Sequence, residues 1–201
     1  MVTWILIATT AVVSWIAFNN RSTAHDLALW SPGVTRKHQY YRLLTYGFVH
    51  ADMQHLLFNM ITLFFFGRTM EMIFQLIGMG QVGYVLFYLS AVVISILPSY
   101  YRHRHDMNYI SIGASGAVSA VLFAFILFQP WSMILVFFIP VPAILYAVAY
   151  VGYTVYMDRR GGDNINHSAH LWGAAYGVLF MLFSHPAVIN IFLSQLLHPR
   201  F

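Results

Sequence analysis

Residues 110–128 read ISIGASGAVSAVLFAFILF: four small residues, Gly113 to Gly116, open an apolar run that carries no charge through Phe128. A run of this kind forms a helix buried in a membrane. Ser115 falls at the start of that helix, where backbone N–H groups lack intrahelical acceptors and the dipole favours negative charge. A hydroxyl there, between residues small enough to admit another group, is a candidate nucleophile beside a ready anion site. On this stretch alone the alternative stays open: Gly and Ser serve equally well to let two membrane helices pack closely.

The remaining chain has the composition such a helix needs. Of 201 residues, 60% are hydrophobic and 8% charged, against about 25% charged in soluble domains. The expectation is an all-α, multi-pass membrane protein forming one integral-membrane domain over 1–201. The net charge of +4 is assigned to membrane topology. No basic run is long enough for a nucleic-acid patch. Cys is absent, which excludes disulfides and thiolate chemistry.

Outward from the central stretch, five further apolar segments appear. Residues 3–20 end at Asn19, Asn20 and Arg21; charge comes after the apolar run instead of preceding it, so this is a first span and not a signal peptide. Residues 21–54 make a long, partly structured first loop, with Trp30, Tyr40, Tyr41 and Tyr46 suited to the headgroup level. A second helix over 55–77 puts His55 and Asn59 on one face, and Arg68 can pair with Glu71. A third covers 80–100, closed by Pro98 and a polar loop from Tyr101 to Asn108. The fourth, 112–128, stops at Gln129-Pro130. Pro140 and Pro142 break the next apolar stretch, making 131–139 a surface or re-entrant piece and starting the fifth helix near Val141. The sixth, 168–184, carries His170 in its first turn beside a small-residue stripe of Ala169, Gly173 and Gly177. Ala187–Phe201 is an amphipathic or frayed tail.

Helices two, four and six run in the same direction, so His55, Ser115 and His170 lie at similar depth on one side of the membrane. A serine and a histidine brought together suffice for nucleophilic catalysis. His55 and Asn59, with the Ser115 N–H, are placed to donate to an oxyanion.

These residues carry a resemblance. The H-x4-H-x3-N pattern at His50, His55 and Asn59, the G-x-S-G of Gly113 to Gly116, and the A-H-x2-G-x3-G of Ala169 to Gly177 resemble the rhomboid family of intramembrane serine proteases. Tyr41-Arg42 is similar to the family's Trp-Arg pair, and Gly67-Arg68 with Glu71 also matches. The resemblance covers about residues 40–180, in the expected order. It implies a six-helix bundle that cuts transmembrane proteins within the lipid bilayer. Ser115 is then the nucleophile and His170 the base. His55, Asn59 and the Ser115 N–H form the oxyanion site. His50, Gly113, Gly116, Gly173 and Gly177 support it, and neither metal nor organic cofactor takes part. The fifth helix and the loop 158–167 correspond to the family's substrate gate.

One position departs from the pattern. Four residues after the nucleophile, many rhomboids carry a Tyr that packs on the catalytic His; here it is Ser119, so His170 needs another partner for its ring. Two other readings are an inactive relative that binds transmembrane helices, and a transporter or metal channel using His50, His55, His167 and His170. The resemblance also implies a location in the cell (inner) membrane with the active site open to the extracytoplasmic side. The positive-inside rule points the other way. Arg21, Arg36, Lys37, Arg42, Arg102, Arg104, Arg159 and Arg160 all fall in loops on the Ser115 side, and only Arg68 and Arg200 fall opposite.

Overall fold

A computed structural model describes residues 1–136, 138–163 and 165–198; Arg200 lies outside them. Helix α1 spans Val2–Asn19. Before the next long helix come α2 (Arg21–Leu27), strand β1 (Leu29–Trp30), α3 (Ser31–Lys37), α4 (Arg42–Thr45) and a 3-10 turn at Tyr46–Phe48. Helix α5 (Met53–Thr62) passes through a π-helical stretch, Leu63–Gly67, into α6 (Arg68–Leu76). Then come α7 (Gly80–His103), β2 (Ile110–Ser111), α8 (Ser115–Phe128), β3 (Met133–Val136), β4 (Ile139–Pro142), α9 (Ala143–Arg160), α10 (His167–Ser184) and α11 (Val188–Leu197).

Helix α8 is the axis of the bundle: every residue from Gly116 to Phe128 is buried. A helix apolar all round can be satisfied only by neighbours on every side, and α7, α9, α10 and the α5–α6 run supply them. The closest approach is to α10. A Cβ on Gly173 would lie 2.0 Å from the Gly116 carbonyl oxygen, and one on Gly177 would lie 2.2 Å from that of Ala120. The two backbones therefore touch where the small-residue stripes meet.

By length and apolar composition, three helices among the described residues are able to cross a membrane: Val2–Asn19, the 24-residue run Met53–Leu76, and Gly80–His103. A fourth is added when α10 and α11, bent by 113°, are taken as one span. Helix α8 has 14 residues, and α9 ends in Asp158, Arg159 and Arg160, so neither belongs to that set. These apolar helices make the chain an integral, multi-pass membrane protein.

Four expectations change. The bundle is not purely helical: β1 pairs antiparallel with β2, and β3 with β4. The second ladder occupies the 131–139 region, because Pro140 and Pro142 cannot continue a helix but are tolerated in a two-stranded edge, and α9 starts after Pro142. The third helix does not close at Pro98 but runs through it to His103. Its last turns are held from outside: the Thr35 hydroxyl lies 3.1 Å from the Tyr100 hydroxyl, and the His103 ring stacks on Tyr109 at 4.2 Å. His103 is therefore not the freely solvated residue its loop position suggests. Finally, Arg68 and Glu71 do not pair. Glu71 accepts from the Val2 N–H at 2.7 Å and from the Thr3 N–H and hydroxyl at 3.0 and 2.8 Å, serving the open N-terminal turn of α1. Arg68 instead sits over the Phe64 ring, 5.3 Å from its centroid.

Candidate active site

Three helix N-termini converge on a cavity of about 990 Å³ lined by Ser115, His170, His55, Asn59, Gly113 and Ser119 among others. Each is set by a local device. Asp52 caps α5, accepting the His55 N–H at 2.7 Å. Asn166 caps α10, its Oδ1 accepting the Ala169 N–H at 3.0 Å. Ahead of α8, Gly113 has φ +117°, a conformation L side chains rarely adopt, and a Cβ there would meet the His55 ring at 2.6 Å. Only glycine satisfies both restrictions.

His170 and Ser115 meet across the α8–α10 contact, with Nε2 2.7 Å from the serine Oγ. Both residues are half-buried. A neutral imidazole with its proton on Nδ1 accepts the hydroxyl hydrogen in this geometry. This is the arrangement that general-base activation of an alcohol requires. The His170 ring also faces two neighbours: Tyr150, at 6.3 Å between centroids and 23° between planes, and His167, edge-on at 6.0 Å.

His55 lines the same cavity, its ring against Gly113 and edge-on to His50 at 5.0 Å. Asn59 is buried, and its Nδ2 donates to the His55 carbonyl at 3.1 Å. An amide nitrogen carries a second hydrogen, so Asn59 retains a donor.

His50 does not line the cavity but braces it. Its Nε2 accepts the Ala114 N–H at 3.3 Å, and its Nδ1 lies 2.9 Å from the Ser14 hydroxyl, which donates to the Phe48 carbonyl at 2.9 Å. Accepting at Nε2 places the ring's proton on Nδ1, so one directed chain runs from His50 through Ser14 to Phe48. It ties α1 to the residue preceding Ser115.

Gly116 packs against Ser95 of α7 and the Ala169 carbonyl of α10. Arg42 is buried and donates to the carbonyls of His25 and Ala28 at 2.6 and 2.8 Å, pinning the region before α5 instead of reaching the cavity. His167 is buried, with Nε2 3.0 Å from an Asp163 oxygen; this contact holds the Asp163 carboxyl below its usual range.

Three participants escape sequence reasoning. Ser14 sits in an apolar helix with no pattern to mark it. Tyr150 is one of many aromatic residues. Asn166 did have a signal, an Asn directly before a helix. Besides capping α10 it accepts the Ser99 hydroxyl at 2.8 Å and donates to the Tyr109 oxygen at 2.9 Å, joining α7, the residue preceding β2, and α10. Among the described residues, no three His, Cys, Asp or Glu side chains converge so as to hold a metal ion.

Comparison with known proteins agrees with this architecture. The model of the Rhomboid domain matches residues 37–187. RHOMBOID-like protein 12, mitochondrial, of Arabidopsis thaliana is 32% identical over 83% of this chain and 53% of its own length. The candidate rhomboid protease YdcA of Bacillus subtilis (strain 168) is 28% identical over 83% of this chain and 80% of its own length. The presenilin-associated rhomboid-like protein, mitochondrial, of Rattus norvegicus is 31% identical over 73% of this chain and 38% of its own length. The chain thus spans about half the length of the Arabidopsis relative and less of the rat protein. With the motifs on three helix N-termini and a family match across most of its length, the chain belongs to the rhomboid family.

Proposed function

We propose that this protein is an intramembrane serine endopeptidase that cleaves transmembrane proteins near the membrane boundary. The single observation that carries the reading is the 2.7 Å contact between His170 Nε2 and Ser115 Oγ at the wall of a cavity reached by polar side chains.

In this reading the Ser115 oxygen bonds to the scissile carbonyl carbon while its proton passes to His170 Nε2. The resulting oxyanion takes hydrogen bonds from the Ser115 N–H, His55 and Asn59. Collapse breaks the C–N bond, and His170 returns its proton to the departing amine. Water, deprotonated by His170, then attacks the acyl carbon; the bond from that carbon to Ser115 Oγ breaks and His170 returns the proton to that oxygen. No step draws on a metal or organic cofactor.

A helical substrate hides its carbonyls in i to i−4 hydrogen bonds. Segments rich in Gly or other poor helix formers, which unwind locally, are therefore the preferred sites. Six spans, with α8 as a short central one reached by water from the Ser115 side, suit this chemistry. The bilayer is the working environment, and the cavity opens to the extracytoplasmic face of a cell membrane.

The test is labelling with a fluorescent fluorophosphonate. Wild type is expected to label, with labelling lost in Ser115→Ala and reduced at least about a hundredfold in His170→Ala. Undiminished labelling of Ser115→Ala overturns the assignment.

A further inference from the structure

The family resemblance puts a tyrosine four residues after the nucleophile, and this chain has Ser119 there. Helix α8 therefore lacks the ring that would face His170. A tyrosine ring faces it all the same, from a different helix. Tyr150, midway along α9, lies 6.3 Å from the imidazole centroid with the two planes 23° apart. That is within the range of offset ring stacking. Its hydroxyl lies 2.7 Å from Ser119 Oγ, so the residue that replaces the missing tyrosine holds the tip of its substitute. Phe123 of α8 and Tyr146 of α9 flank the ring, each at 5.6 Å.

We propose that Tyr150 is the positioning residue for His170, holding the imidazole plane over Ser115 from α9 while Ser119 fixes its hydroxyl. This rests on the reading of Ser115 and His170 as the catalytic pair. A histidine side chain has two rotatable bonds, and only one combination brings Nε2 to the serine; a ring laid along one face removes the competing orientations. The device differs from an α8 tyrosine in one consequence. Of α9, only Ala143, Ala147 and Thr154 are buried, and its far end is tied to α7 through the exposed Arg102–Asp158 pair at 3.5 Å. The clamp on the base is thus carried by a largely outward-facing helix, and any displacement of α9 from α8 releases His170.

The whole chain in detergent micelles, treated with a fluorescent fluorophosphonate, tests this. Labelling forms the Ser115 Oγ–P bond, breaks the P–F bond, passes the hydroxyl proton to His170 and releases fluoride. Its rate therefore reports how well the base is held. Tyr150→Phe, which keeps the ring, is expected within about threefold of wild type in maximal labelling rate. Tyr150→Leu, which keeps apolar bulk but not the ring, is expected to fall about tenfold, with the half-saturating probe concentration unchanged. Adding Ser119→Tyr to Tyr150→Leu is expected to recover most of the lost rate. The proposal is overturned if Tyr150→Leu labels as fast as wild type, if its loss lies wholly in probe affinity, if Tyr150→Phe is equally impaired, or if the double variant gains nothing. Ser115→Ala run alongside separates the two readings. If it still labels, the catalytic pair is wrong; if it is silent while Tyr150→Leu is unimpaired, only the positioning role fails.

Discussion

At the residue scale, much of the site's geometry depends on glycines and on one buried histidine. Gly173 and Gly152 make a controlled comparison, because both lie inside helices and differ only in what surrounds them. A methyl on Gly173 would meet the Gly116 carbonyl at 2.0 Å, while one on Gly152 meets nothing within 4 Å. Gly173→Ala is expected to destabilise by at least about 1–3 kcal/mol, since two backbones must separate. It should slow fluorophosphonate labelling as well, because Gly116 is the neighbour of Ser115. Gly152→Ala is expected to be neutral or to stabilise by about 0.5–1 kcal/mol through lost chain entropy. Thermal unfolding of both variants in detergent reads the opposite signs. His50 offers a second measurement. Its removal leaves the Ala114 N–H without an acceptor, so His50→Ala is expected to cost about 1–3 kcal/mol and to loosen the turn before Ser115, lowering the thermal midpoint even though His50 itself does not line the cavity.

At the scale of elements, the start of α10 and the segment before it form one unit. Asn166 caps the helix and binds Ser99 of α7 and Tyr109, just before β2. Asn166→Ala is expected to lose about 1 kcal/mol for the cap and more for the Ser99 hydroxyl left behind. The Asp163–His167 contact gives this unit a pH dependence. The bond from His167 is the first cause lowering the Asp163 carboxyl, followed by burial, which opposes it, and the Ile165 N–H, which adds to it. A carboxyl held low when folded adds stability above its ordinary value. That stability is lost as pH falls through the depressed one. Protection of the Ile165 amide, whose N–H donates to Asp163 at 3.3 Å, is therefore expected to fall relative to its intrinsic exchange rate as pH drops below the usual carboxylate range, and Asp163→Asn is expected to abolish that acid dependence. Helix α9 shows how much the pattern of apolar residues leaves open at this scale. Its apolar residues face both outward and inward, and nothing in their periodicity marks Tyr150 as the one that meets His170.

For the whole molecule, two signals bear on direction in the membrane. Family orientation turns the Ser115 side outward, whereas the distribution of Lys and Arg turns it inward. Part of that excess has structural work: Arg42 is buried among carbonyls, and Arg102 pairs with Asp158. Charges held this way report packing as well as topology. With the Ser115 side outward and an even number of spans, alkaline phosphatase fused after residue 201 is expected to be silent, and an active fusion reverses the orientation.

The order of residues alone establishes the membrane class, the family, and the succession of apolar segments. A chain with this few charges has too little polar surface to cover a soluble domain, and stripes of small residues declare which helix faces approach. It also singles out Ser115, His170, His55 and Asn59, which line one cavity. Packing in three dimensions was needed to learn that Pro98 stays inside a helix, that Glu71 serves the start of α1 instead of Arg68, that Ser14 steadies His50, and that an α9 tyrosine covers the imidazole. Each of these depends on the rotation and depth of one helix against another many residues away. Local periodicity tells which face of a helix is apolar, but not which partner side chain that face will meet.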